Sequence, residues 1–158
     1  MSYSFNAEEI FEMAEQIEKN GEVFYKAAAE GVSEQTNKDF LLELAAMEVE
    51  HGKTFATMKD ELSAAEKEGT VFDPNGEAPL YLKALADTRV FFEKETDTAS
   101  MEAILKDAIT AEKDSIVFYL GMKELVPENL GRKRLGAIIK EEMSHIRLLS
   151  NKLAELKK

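Results

Sequence analysis

Apolar positions recur at helical spacing along most of the chain, and no stretch shows the alternation of a strand. Ile10, Met13, Ala14, Ile17, Val23, Phe24, Ala27 and Ala28 fall close to one stripe of a first helix. Asn6, with Glu9 three residues on, has the pattern of a capping box at its start. Gly31, Val32 and Ser33 predict a tight turn. A second helix is expected from about Glu34 to Lys67, with Phe40, Leu41, Leu44, Met47, Phe55, Met58 and Leu62 on its inner face and Gly69 after its end. The stretch GTVFDPNGEAP is the one plainly irregular segment, and Asp73-Pro74-Asn75-Gly76 within it is strong turn chemistry. A shorter helix follows from about Pro79 to Lys94, carrying Leu82, Leu85, Ala86, Val90 and Phe91. A third long helix covers about Ala99 to Leu125. A fourth starts at Pro127, a favourable first-turn residue, and runs to the C-terminus.

The expected architecture is therefore all-α: a four-helix bundle made of two tight hairpins and one long crossover with a short extra helix in it. Residues 1–158 form one domain on this reading, with a hairpin over 6–68, the crossover over 69–98 and a hairpin over 99–158. The sequence leaves open whether both hairpins of a bundle come from one chain or are exchanged between two.

Composition narrows the function. With 44% apolar residues the chain has enough to build a core. The net charge of −11 repels phosphate backbones and anionic lipid, so neither nucleic acid nor membrane is an expected partner. Either the charge only keeps the protein soluble, or it also favours the entry of divalent cations. Cysteine is absent, which removes disulfides, thiol chemistry and cysteine-held metal centres. The segment MSYSFNAEEI lacks a basic and then apolar signal, and no run of about 18 apolar residues occurs, so a cytoplasmic location is expected.

The two halves repeat. Residues 18–25 read EKNGEVFY and residues 112–119 read EKDSIVFY, an offset of 94. The same offset carries Glu48 onto Glu142 and His51 onto His145, and these are the only 2 histidines in the chain. Ser33, in the first turn, is midway between Glu18 and Glu48; Pro127, in the second, is midway between Glu112 and Glu142. Each glutamate is thus 15 residues from its turn, or roughly 22 Å along a helix. In an antiparallel hairpin such residues share one height, and each histidine lies one turn further along the same face. Two packed hairpins would bring four glutamates and two histidines to one level among the apolar stripes. Solvated helix charge is the alternative for these six. It is disfavoured because four buried carboxylates without a counter-charge are too costly.

Four carboxylates balance two divalent cations, and hard oxygen donors with one imidazole per ion suit Fe(II), with Mn(II) as the alternative. Two helices giving one glutamate each and two giving Glu-x-x-His is the known layout of di-iron carboxylate bundles. Glu48-Val-Glu-His51 and Glu142-Met-Ser-His145, with Glu18 and Glu112, resemble the rubrerythrin-like branch of the ferritin-like superfamily over nearly the whole chain. The resemblance implies a ferritin-like bundle with Glu18, Glu48, His51, Glu112, Glu142 and His145 as metal ligands and catalytic residues. It implies a non-haem di-iron oxidoreductase that reduces hydrogen peroxide or oxygen. Iron handling (ferroxidation, storage or sensing) is the alternative, and a substrate oxygenase or oxidase a third.

Two departures from the family matter. Rubrerythrins carry a rubredoxin-like domain with four cysteines; this sequence has none, so electrons would come from an external donor such as a rubredoxin-like protein. The family also has a second glutamate one turn beyond the helix-three ligand, where this chain has Ser115. Glu22, one turn after Glu18, could substitute from the other hairpin, although an exposed or supporting carboxylate is the commoner role. Tyr25 and Tyr119, seven residues after Glu18 and Glu112, are either hydrogen-bond partners of the ligands, redox-active residues, or core tyrosines with a satisfied hydroxyl. Met13, Met47, Met58, Met122 and Met143 are assigned to packing. Glu50 and Glu141 are expected on other faces, in solvent. A homodimer is expected, since bundles of this kind commonly bury a helical face against a copy.

Overall fold

A computed structural model describes residues 7–62, 80–82, 84, 100–126 and 128–158. Four long helices run over them: α1 (Ala7–Gly31), α2 (Gln35–Asp60), α3 (Met101–Leu125) and α4 (Arg132–Leu156). Helix α1 packs along α2 as one hairpin and α3 along α4 as the other. The two hairpins touch through Tyr25–Glu112 and Tyr119–Glu18. Among the described residues no helix is long and apolar enough to cross a membrane.

The helix ends have local causes. Ser100 caps α3, its hydroxyl accepting from the Ala103 amide at 3.2 Å, which satisfies one of the first-turn donors. Helix α2 stops at Asp60 and a turn takes over at Glu61 and Leu62, seven residues before the expected end at Lys67. The fourth helix does not begin at Pro127. A 3-10 turn at Glu128–Leu130 comes first, and Gly131 then adopts φ 110°, a left-handed conformation that admits glycine without strain. The Asn6 cap, the Asp73–Gly76 turn and most of the short crossover helix lie outside the described residues. Of that helix, Leu80, Tyr81, Leu82 and Ala84 are helical. The Tyr81 hydroxyl donates to the Val117 carbonyl at 2.7 Å, and Leu82 is fully buried in the core.

Two apolar clusters fill the bundle. One, nearer the α3–α4 turn, contains Phe11, Ile17, Phe55, Met58, Phe118 and Leu135 among others. The other, nearer the α1–α2 turn, is built round Ala28, Val32, Leu41, Leu44, Leu105 and Leu149. The two turns are therefore at opposite ends, as an antiparallel pair of hairpins requires. The stripes expected from sequence hold with three corrections. Val23 is 55% exposed and Ala27 is exposed, because α1 turns a narrower face inward than the apolar run suggests. Met143 is 51% exposed: it is on α4 beside Glu142, and the inward face at that level is given to the acid.

Candidate metal centre

Between the two apolar clusters is one polar layer. Glu18 from α1, Glu48 and His51 from α2, Glu112 from α3 and Glu142 and His145 from α4 are each 3% exposed or less. All six residues singled out by the repeat converge there. The pairing by height follows from the hairpin geometry, and the inward turn from their place on the apolar stripes.

The donor atoms sort into two overlapping sets. Glu18, Glu48, His51 and Glu142 bring one atom each to within 4.8 Å of one another; so do Glu48, Glu112, Glu142 and His145. Glu48 and Glu142 belong to both. Glu18 with His51 belongs only to the first, and Glu112 with His145 only to the second. The layer can therefore hold two ions, with Glu48 and Glu142 shared between them and one glutamate and one imidazole at each outer side. The imidazole rings of His51 and His145 are nearly parallel, inclined by 18° with centroids 5.5 Å apart.

The fit to metal can be tested on the layer itself. Glu18 Oε2, Glu48 Oε1, Glu112 Oε2, Glu142 Oε2 and His145 Nδ1 are buried and find no hydrogen-bond partner among the described residues. His145 Nδ1 comes within 3.2 Å of Glu142 Oε2, 3.4 Å of Glu112 Oε1 and 3.5 Å of Glu48 Oε1, yet bonds to none of them. Buried polar atoms are almost always paired, so five orphans aimed at one another mark a place for cations. Two divalent ions would balance four carboxylates and accept a lone pair from each orphan.

The remaining polar contacts hold the donors in place. The Tyr25 hydroxyl donates to Glu112 Oε1 at 2.7 Å, and the Tyr119 hydroxyl donates to Glu18 Oε1 at 2.6 Å. The arrangement is reciprocal: each hairpin's tyrosine pins the outer glutamate of the other hairpin. Both rings are fully buried in the apolar clusters, so these residues are core and hydrogen-bond partner at once. Burial first, and then the carboxylate charges around them, push both phenols well above their usual range, which keeps them as donors.

One contact was not expected. Glu141, itself mostly in solvent, reaches His51 Nε2 with its Oε2 at 2.5 Å, while His51 Nδ1 points at Glu142 Oε1 at 2.7 Å. A carboxylate on the far ring nitrogen fixes the tautomer and orientation of a ligating imidazole. The repeat could not reveal it, since the position matching Glu141 in the first half is Met47. Only its neighbourhood with Glu142 on α4 gave a hint. Glu22 goes the other way. Its carboxylate takes hydrogen bonds from Lys19 at 2.8 Å and Lys26 at 3.3 Å, and it belongs to neither donor set. Ser115 bonds back to the Ala111 carbonyl at 3.0 Å.

Gly21 gives the layer its room. A methyl group on it would come within 3.1 Å of the Glu48 carboxyl carbon, so the lack of a side chain here lets α1 and α2 close over the shared acid.

The tyrosine contacts carry a prediction. Tyr119→Phe removes the donor to Glu18 and leaves a buried carboxylate oxygen without one, which costs roughly 1–3 kcal/mol. Thermal unfolding of the metal-free protein should then shift down by about 3–10 °C, with the metal stoichiometry unchanged. An unchanged midpoint would reduce Tyr119 to apolar packing.

Comparison with known proteins agrees with this geometry. A solved protein from Thermotoga maritima, described as a candidate ferritin-like diiron-carboxylate protein, is similar in structure with a TM-score of 0.70 at 26% identity, covering 98% of this chain and 99% of that one. No curated protein matches the chain. The Rubrerythrin family model matches residues 9–153. With that match over most of its length, and with a ferritin-like helical bundle around a buried Glu/His layer suited to two metal ions, the chain belongs to the Rubrerythrin family.

Proposed function

We propose that this protein is a non-haem di-iron oxidoreductase that reduces hydrogen peroxide or oxygen with electrons from an external donor. The observation that carries the reading is the pair of donor sets sharing Glu48 and Glu142, with five orphaned buried atoms between them. With ferrous ions bound, the pair supplies two electrons, and peroxide takes them up with two protons to leave as two molecules of water.

The protein's own groups prepare the site for that exchange. Glu48 and Glu142 hold the two positions at a fixed separation, because each contributes to both. The outer pairs, Glu18 with His51 and Glu112 with His145, give the positions matched surroundings. Tyr25, Tyr119 and Glu141 lock Glu112, Glu18 and His51 in their rotamers, so little reorganisation is needed when the charge of the site changes. The apolar clusters on either side keep water from reaching the layer along the length of the bundle. These 158 residues hold no cysteine that could relay electrons, and the donor in this reading is a one-electron carrier of the rubredoxin-like kind.

The test is anaerobic. Protein loaded with Fe(II) should consume about one peroxide for about two ferrous ions oxidised, and should turn over again only when a one-electron donor is added. Protein that ignores peroxide, but takes up and oxidises many ferrous ions per chain in air, would replace this reading with iron handling.

A further inference from the structure

A cleft of about 310 Å³ opens on the outer side of the α1–α2 hairpin and leads to the metal-binding layer. Glu15, Lys19 and Glu22 stand at its mouth, Gly52 forms part of its wall, and Glu18 and Glu48 close its inner end. The order from outside to inside follows the exposure of the side chains: 64% for Lys19 and 26% for Glu15, falling to 1% for Glu18 and 2% for Glu48. At roughly 30 Å³ per water, the space admits about ten waters, enough for an ion that still carries its hydration shell.

The repeat provides an internal comparison. The positions matching Glu15, Glu22 and Gly52 in the second half, at the offset of 94, are Ile109, Ile116 and Ile146. Two acids and a glycine on one side of the layer are three isoleucines on the other. Those isoleucines are packed in: Ile116 belongs to one apolar cluster, Ile146 packs against it and Ile109 packs against the other. The six donors obey the repeat while the residues leading to them depart from it on one side alone.

We propose that the cleft between α1 and α2 is the port by which hydrated divalent cations reach the layer, and that the matching route through α3 and α4 is plugged by Ile109, Ile116 and Ile146. The second observation pointing to a cation is at the inner end. Glu18 Oε2 and Glu48 Oε1, both buried, have no hydrogen-bond partner among the described residues, and their residues line the cleft. The glycine is what keeps the wall open. A methyl group on Gly52 would meet only the Glu18 Cβ, at 3.7 Å, so the position tolerates a side chain, and a larger one would extend into the cleft. At the mouth, Glu22 is held by Lys19 and Lys26 in pairs whose lysines are largely in solvent. The lysine ends of these pairs are free to swing into solvent, so the carboxylate of Glu22, itself only 11% exposed, can release them for an arriving cation. Ions then pass along a single helix, from the half-buried Glu15 and the largely covered Glu22 to the fully buried Glu18.

This inference rests on the two-ion reading of the layer, and the test separates the two. Co(II) is mixed with metal-free protein, uptake is followed by stopped-flow absorbance, and the ions bound at equilibrium are counted. Wild-type protein that binds no Co(II) would remove the two-ion reading itself. Gly52→Ile copies Ile146 into the wall. It should bind the same number of ions as wild type but fill about tenfold more slowly or worse, because ions must wait for a local opening of the bundle. Glu15→Gln/Glu22→Gln changes charge without bulk and serves should the isoleucine variant misfold. Its uptake should slow by about tenfold and lose most of its dependence on ionic strength. Uptake within about twofold of wild type in a folded variant, with the ions bound as before, would overturn the port.

Discussion

Replacing Glu48 and Glu142 together by leucine is expected to abolish binding of both metal ions and to make the metal-free protein more stable. The first effect follows from sharing: these two glutamates are the only members of both donor sets among the described residues. Without them each position keeps one glutamate and one imidazole, too few to hold an ion against water. Elemental analysis should give about two ions per chain for wild type and about none for the double variant. Glu18→Ala, by contrast, touches one set and should weaken one ion more than the other. The second effect follows from burial. Leucine fills much of the volume of the acid and removes two buried acids that stay protonated in the metal-free layer, each with an oxygen that has no hydrogen-bond partner among the described residues. What remains is balanced, since Glu18 faces His51 Nδ1 at 3.6 Å and Glu112 faces His145 Nδ1 at 3.4 Å. Replacing buried ionic groups with well-packed apolar ones typically stabilises by about 1–4 kcal/mol. In a chain of this size that raises the midpoint of unfolding by about 2–4 °C per kcal/mol. Metal should raise the midpoint of wild type and leave that of the variant where it is. A variant that still binds two ions would show that the outer pairs suffice. A metal-free variant less stable than wild type would show that Glu48 and Glu142 serve the fold and not the site.

The sequence made the six donors legible because the information was one-dimensional. Equal spacing of Glu18 and Glu48 about Ser33, and of Glu112 and Glu142 about Pro127, places each pair at one height in any straight antiparallel hairpin. Burial then followed from the apolar stripes on which those glutamates fall. The contacts that cross between hairpins were not legible in the same way. Tyr25 reaches Glu112 and Tyr119 reaches Glu18, 87 and 101 residues away, and no periodicity within one helix encodes that partner. Glu141 is further out of reach. It is exposed, it breaks the repeat, and its contact with His51 depends on the rotation of α2 against α4. The helix ends were misjudged for a related reason. An unbroken helical pattern in residues 61–67 does not keep α2 going past Asp60, and Pro127 suits a first turn that the left-handed Gly131 postpones to Arg132. The departures from the repeat at Glu15, Glu22 and Gly52 were visible throughout, but they have meaning only once the structure shows a cleft there.

Metal affinity should rise steeply with pH while the stability of the metal-free protein falls over the same range. Without cations the layer has to balance its own charge. Burial would raise Glu18 and Glu112, but the nearby acids Glu48 and Glu142 and the charged imidazoles of His51 and His145 outweigh it. They hold Glu18 below the usual carboxylate range and Glu112 down to about 2. Burial, and then the charge of the surrounding carboxylates, push Glu48 and Glu142 well above 4.5, so these two stay protonated. Burial would lower the imidazoles, yet the glutamates around them dominate and raise His51 to about 11 and His145 to about 9. Two carboxylates and two imidazoliums then cancel. Binding two divalent ions needs four carboxylates and two neutral imidazoles, so about four protons must leave. The sign for stability follows group by group. Glu48, Glu142, His51 and His145 have raised values in the fold. Their contribution is complete below the unfolded values of 4.5 and 6.5, and it is lost as pH climbs towards the folded ones. Glu18 and Glu112 are lowered, and theirs is lost only as pH falls below 4.5. Metal-free protein should therefore unfold at progressively lower temperature from about pH 4.5 upward, and more steeply above about pH 6.5 where the histidines join, while ligands freed of protons bind more tightly. The gap in unfolding midpoint between metal-loaded and metal-free protein should widen between about pH 5.5 and pH 8.5. Titration calorimetry in buffers of different ionisation enthalpy counts the protons directly. Release of about four at neutral pH would support the charge balance inside the layer, whereas release of fewer than about one would mean that the donors wait already deprotonated and that their repulsion is relieved in some other way.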